Sequence, residues 1–121
     1  MTFKSVLANW KSFQREVEAA SAPALEDAAQ VIFDRSQELV PVATGRLKAS
    51  GKIESKKTSN GAVATISYGE GGPDYAVNVH EDLQVFHDDG QAKFLEHAVF
   101  ENMKMMPEEY GRALKRKTRL R

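Results

Sequence analysis

An α+β fold, with N-terminal helices and a C-terminal helix packed on a small antiparallel sheet of three to four strands, follows from three observations. Apolar residues recur three and four apart before Pro41 and again after Gly90, the spacing of helix faces. Between them, residues 47–54, 62–68 and 75–80 alternate from one side to the other at period two, as strands with one wet side do. Asn60-Gly61 falls between two such runs and is a strong hairpin signal, because both residues tolerate positive φ.

The first helix is predicted by Phe3, Val6, Leu7, Trp10, Phe13, Val17 and Ala20, with Lys11, Gln14, Arg15 and Glu18 on the opposite face. Thr2 or Ser5 suits its start. Trp10 is assigned to core or interface packing. Ser21-Ala22-Pro23 interrupts the pattern and opens a second helix, in which Leu25, Ala28, Ala29, Ile32, Phe33, Ser36 and Leu39 continue until Pro41. A single long helix kinked at Pro23 is the alternative.

Thr44-Gly45 then turns the chain. Leu47, Ala49, Gly51 and Ile53 alternate with Lys48, Ser50, Lys52 and Glu54, predicting a first strand whose outer face carries a basic row of Arg46, Lys48 and Lys52. The return strand is Ala62–Tyr68, with Ala62, Ala64, Ile66 and Tyr68 on one side and Val63, Thr65 and Ser67 on the other. A glycine-rich loop, Gly69 to Asp74, precedes a third strand, Tyr75–Glu81; Leu83–Phe86 is a short candidate fourth. Asp88 and Asp89 are placed to cap the last helix, whose stripe is Phe94, Leu95, Ala98, Val99, Asn102, Met103, Met106, Tyr110 and Leu114, with a kink or restart at Pro107.

With 121 residues, 41% of them hydrophobic and 28% charged, the chain fits one domain, 1–111, followed by a basic segment, 112–121. The formal net charge of zero hides that asymmetry: every acidic residue lies before Arg112, and Arg112, Lys115, Arg116, Lys117, Arg119 and Arg121 follow. Such a run reaches DNA phosphates or an acidic protein surface. Absence of cysteine removes disulfides, thiolate catalysis and cysteine zinc sites. No apolar run approaches the roughly 20 residues of a membrane span, and the N-terminus is too polar for a secretory signal, so the expected compartment is the cytoplasm.

Catalytic chemistry finds little footing. His80, Glu81, Asp82, His87, Asp88 and Asp89 include metal-ligating types, but no His-Glu-x-x-His spacing fixes them together. Gly69–Gly72 lacks the Lys-Ser or Lys-Thr pair of a phosphate loop, and no nucleophile elbow is present. No metal and no cofactor is expected.

Leu39-Val40-Pro41 followed by Thr44-Gly45-Arg46-Leu47-Lys48-Ala49-Ser50 resembles the neck and tail-completion proteins of long-tailed bacteriophages. Tyr75-Ala76 with Val79-His80-Glu81 looks like that family's strand motif, and Gly90 to Ala98 like the start of its last helix. The resemblance spans about residues 20–110; where many members carry Gly-Thr, this chain has Asp82-Leu83. It implies a non-enzymatic virion subunit at the head–tail joint, assembled in the host bacterial cytoplasm. Such a subunit forms a ring with its copies, a hexamer being favoured, and docks on the head connector or adaptor and on tail terminator or tail tube proteins. Expected subunit or partner contacts are Arg46, Lys48, Lys52, Glu70, Gly71, Gly72 and Asp74. The basic C-terminal segment is assigned to packaged DNA or an acidic neighbour. A small nucleic-acid-binding regulator using that segment is the alternative, and a metal-dependent hydrolase using His80, His87 and Asp88 ranks below both.

Overall fold

A computed structural model describes residues 2–41, 45–59, 61–69, 75–89 and 92–118. One helix, α1 (Phe3–Leu39), replaces the expected pair. Thr2 caps it: the Thr2 hydroxyl accepts from the Ser5 amide at 3.1 Å while the Ser5 hydroxyl accepts from the Thr2 amide at 3.1 Å, a reciprocal capping box. Pro23 lies inside the helix and is exposed, so the carbonyl of Ala19 that its missing N–H leaves open faces the wet side. The proline costs about 3 kcal/mol. Burial of Leu25 and Ile32 alone, each 0% exposed, returns about 3–6 kcal/mol, which is why the helix runs through.

Gly45 precedes the next element with a φ of +73°, the left-handed conformation that glycine adopts without strain. The strand expected from Leu47 begins later. Arg46–Ala49 form a single helical turn, α2, closed by Ala49 N–H to the Gly45 carbonyl and Ser50 N–H to the Arg46 carbonyl, each 3.0 Å. Over four residues helical and alternating patterns are indistinguishable, and these local hydrogen bonds decide between them. Arg46 and Lys48 therefore sit on a helical turn, and only Lys52 is on a strand, so the basic row does not share one strand face.

The sheet has four antiparallel strands in the order β1 (Lys52–Thr58), β2 (Gly61–Tyr68), β3 (Tyr75–His80), β4 (Val85–Asp89). Thr58 pairs with Gly61, giving the tight hairpin that the sequence predicts there. The fourth strand starts at Val85 and takes in Asp88 and Asp89; the next helix, α3 (Lys93–Asn102), begins at Ala92 with no side-chain cap. The capping role assigned to the two aspartates is thus overturned, and His87 belongs to an edge strand. Between β3 and β4 the chain turns tightly, with His80 N–H on the Gln84 carbonyl at 2.9 Å and Leu83 at φ +65°. A register shift between Ala76 and Val77 places a bulge on this outer pair. Met103–Met105 make one 3-10 turn, and α4 (Met106–Lys117) restarts with Pro107 in its first turn, where a missing N–H costs nothing.

Helices α1 and α3 and the start of α4 cover one face of the sheet. Ala62, Ala64, Ile66 and Tyr68 of β2 and Val77 and Val79 of β3 meet Leu25, Ala28, Ala29, Ile32, Leu95, Ala98 and Met106 in one apolar core. Its polar centre is Tyr68. The ring, fully buried, stacks on Phe33 at 6.2 Å and meets the edge of Phe94 at 5.0 Å. Its hydroxyl accepts from Gln37 Nε2 at 2.8 Å and lies 2.6 Å from Ser36 Oγ. Ser36 Oγ already donates to the Phe33 carbonyl at 2.7 Å, so the Tyr68 proton goes to Ser36 and every member is satisfied. Gln37 Nε2 also donates to the Lys48 carbonyl at 3.1 Å, and Ser50 Oγ accepts from the Gly69 amide at 2.9 Å. Gly51 passes so close that a Cβ there would come within 2.6 Å of the Tyr68 ring and collide with Gln37.

Tyr68→Phe should keep the fold and lose about 1–2 kcal/mol in urea unfolding, the worth of the hydroxyl's hydrogen bonds. Gly51→Ala should lose about 1–3 kcal/mol by overpacking the same point, and an unchanged midpoint would refute the close approach. Burial raises the phenol pKa of Tyr68, and burial with the nearby Glu81 charge raises that of Tyr110. The folded chain therefore favours the protonated phenols. Their contribution should be complete below pH ~10 and decline as pH rises through the raised values, a slope that Tyr68→Phe should make shallower.

Candidate assembly interface

Among the described residues, the large apolar side chains left exposed, Met105 apart, gather in two places. The first is the N-terminal part of α1. Its first buried residue is Ala20; before it Phe3 is 82% exposed and Trp10 56%, with Val6 and Leu7 also open. Trp10 leans on Phe13, ring centres 6.1 Å apart, and not on the core. Residues 3–12 therefore form an arm about 15 Å long at the helical rise, whose apolar stripe of Phe3, Val6, Leu7 and Trp10 its own chain leaves uncovered; from Phe13 the apolar side chains are part-covered, and Val17 lines a pocket with Lys57, Thr58 and Tyr110. A free helix of this length is marginal in water, so the stripe calls for a partner.

The second place lies between the edge strand β4 and α3. Val85, Glu96, His97, Val99, Phe100 and Met103 line a groove of about 490 Å³, and Phe100 is 84% exposed. The sequence stripe of α3 omits Phe100, which points away from the core. An aromatic residue off the buried face of a helix is the signal that marks it.

Of the residues that the sequence nominated, Arg46 and Lys48 lie on the helical turn between α1 and β1, and Lys52 opens β1. Arg46 and Lys48 are exposed, and Lys52 ion-pairs with Glu54 at 3.6 Å. The corner is set by the core, since the Lys48 carbonyl is held by the same Gln37 that binds Tyr68. Glu70, Gly71, Gly72, Asp74, Arg119 and Arg121 lie outside the described residues. Arg112, Lys115, Arg116 and Lys117 occupy the last turns of α4 and are not a detached end. Arg112 binds Glu108 at 2.5 Å and Glu109 at 2.6 Å; Lys117 and Arg116 reach Asp27 of α1 at 3.2 and 3.8 Å. On the other side of α1, Arg35 Nε meets Glu101 of α3 at 2.6 Å and holds its carboxyl below the usual range.

Among the described residues, no group of three or more His, Asp or Glu side chains is gathered to hold a metal ion. His80 stands on β3 and His87 on β4. No helix of the described residues is long and apolar enough to cross a membrane.

Residues 4–97 match the profile of the protein family described as "Bacteriophage HK97-gp10, putative tail-component". No curated protein and no solved structure matches the chain. The family match takes in most of the arm, the Tyr68 centre, all four strands and the start of α3, and the chain belongs to this HK97-gp10-like family of bacteriophage tail components.

Proposed function

We propose that this protein is a structural subunit of the neck of a tailed bacteriophage, a tail-completion protein that forms a ring with its own copies, six-fold, and joins the head connector to the tail. Family membership supports a virion role. The observation that carries the rest is the α1 arm, whose apolar stripe leaves a folded monomer with unburied surface. A sheet of order β1-β2-β3-β4 also leaves two strand edges for neighbours to cover. The role calls on no catalytic group.

In this reading, copies assemble in the host bacterial cytoplasm onto the connector or adaptor on one side and a tail terminator or tail tube protein on the other. The α4 cations contact packaged DNA or an acidic neighbouring ring. Their present partners Glu108, Glu109 and Asp27 do not prevent this, because exposed ion pairs are worth about 0–1 kcal/mol each and a polyanion displaces them. The corner carrying Arg46, Lys48 and Lys52, together with Glu70, Gly71, Gly72 and Asp74, supplies further contacts.

Native mass measurement of the protein with its connector or tail partner should give a closed ring; a strict monomer with no affinity for either would refute the reading. Arg46→Glu combined with Lys48→Glu should leave the circular dichroism spectrum and melting temperature unchanged and weaken ring assembly. Unaltered assembly would assign these cations to solvent.

A further inference from the structure

We propose that the arm of one copy lies with its apolar stripe in the β4–α3 groove of the next copy. This rests on the ring reading above and names the surfaces that build it. The two exposed apolar patches cannot meet within one chain. Arg35, which marks the end of α3 through its bond to Glu101, stands 25 residues beyond Trp10 on the same continuous helix, roughly 37 Å at ~1.5 Å per residue. A rigid rod thus holds the stripe away from its own groove and presents it to another molecule.

Shape and charge fit that occupant. The groove volume, about 490 Å³, lies within the roughly 300–1,000 Å³ that accept ring-sized groups, and Trp10 with Phe3 or Phe13 offers aromatic anchors at helical spacing. From Thr2 to Arg15 the helix carries Lys4, Lys11 and Arg15 and no acidic residue; Glu16 and Glu18 follow where it rejoins the domain. Glu96 lines the groove, and Asp88 and Asp89 lie on β4, the strand that borders it. A helix laid there also covers the open edge at β4. Arm and groove are different surfaces, so the contact is head-to-tail, the type that closes into a ring when its rotation is right.

The test uses Trp10→Asp and Phe100→Asp in the full chain. Both positions are exposed, and circular dichroism should confirm that both variants fold. Wild type should associate, and each single variant should self-associate at least about tenfold more weakly, as loss of an aromatic anchor does. An equimolar mixture should then form a one-to-one heterodimer and nothing larger, because one variant keeps its arm and the other its groove. A wild-type ring with a mixture that stays monomeric, or with single variants that still close rings, overturns this contact and leaves the ring reading standing. A wild type that stays monomeric alone and with its tail partner overturns both.

Discussion

The hydrogen-bond chain from Gln37 through Tyr68 and Ser36 to the Phe33 carbonyl fixes how the long helix lies on the sheet. It is a polar link inside an apolar core, and its value lies in specificity: only one rotation and one axial position of α1 bring Ser36 and Gln37 to the Tyr68 hydroxyl together. Leaving a buried hydroxyl unpaired costs about 1–3 kcal/mol, so sliding the helix by a turn is penalised even where apolar packing would tolerate it. The same Gln37 holds the Lys48 carbonyl, and Gly51 closes over the pair without a side chain to intrude. Helix, corner and sheet are thereby set at one point.

That constraint has its largest consequence at a distance. With α1 locked from Ala20 onward, its first turns have no freedom to bend back, and the capping box at Thr2 secures their helical start. The core is complete without them. An apolar stripe held clear of a finished domain favours association over folding, in accordance with a tail component whose work is to be built into a larger particle. The ion pair of Arg35 with Glu101 ties the opposite end of the same helix to α3, beside the groove.

Much of this was legible from residue order. The period-two runs located β2 and β3, and Val77, Val79, Ile66 and Tyr68 face the core as alternation requires. The resemblance carried by Pro41, the Gly45 corner and the Tyr75 strand pointed to phage neck and tail-completion proteins, and family membership agrees with a tail component. Errors arose where one residue type serves two local structures. Pro23 reads equally as a helix start and as a solvent-side proline within a helix, and burial of the residues around it settles the matter. Asp88 and Asp89 suit a cap by type, yet pairing with β3 extends the strand through them. The Phe3–Val17 stripe was visible from the outset, but periodicity tells that a face is apolar and not which molecule covers it. Phe100 lies off the stripe, where periodicity does not single it out.

In the proposed assembly, neighbouring copies are joined through the α1 arm in a closed ring. An electron cryomicroscopy map of the assembled tail tests it most directly. The map should show a ring at the head-proximal end in which each long helix crosses to the next subunit and ends between its β4 and α3. A subunit found singly, or a ring whose arms point into solvent, would contradict it.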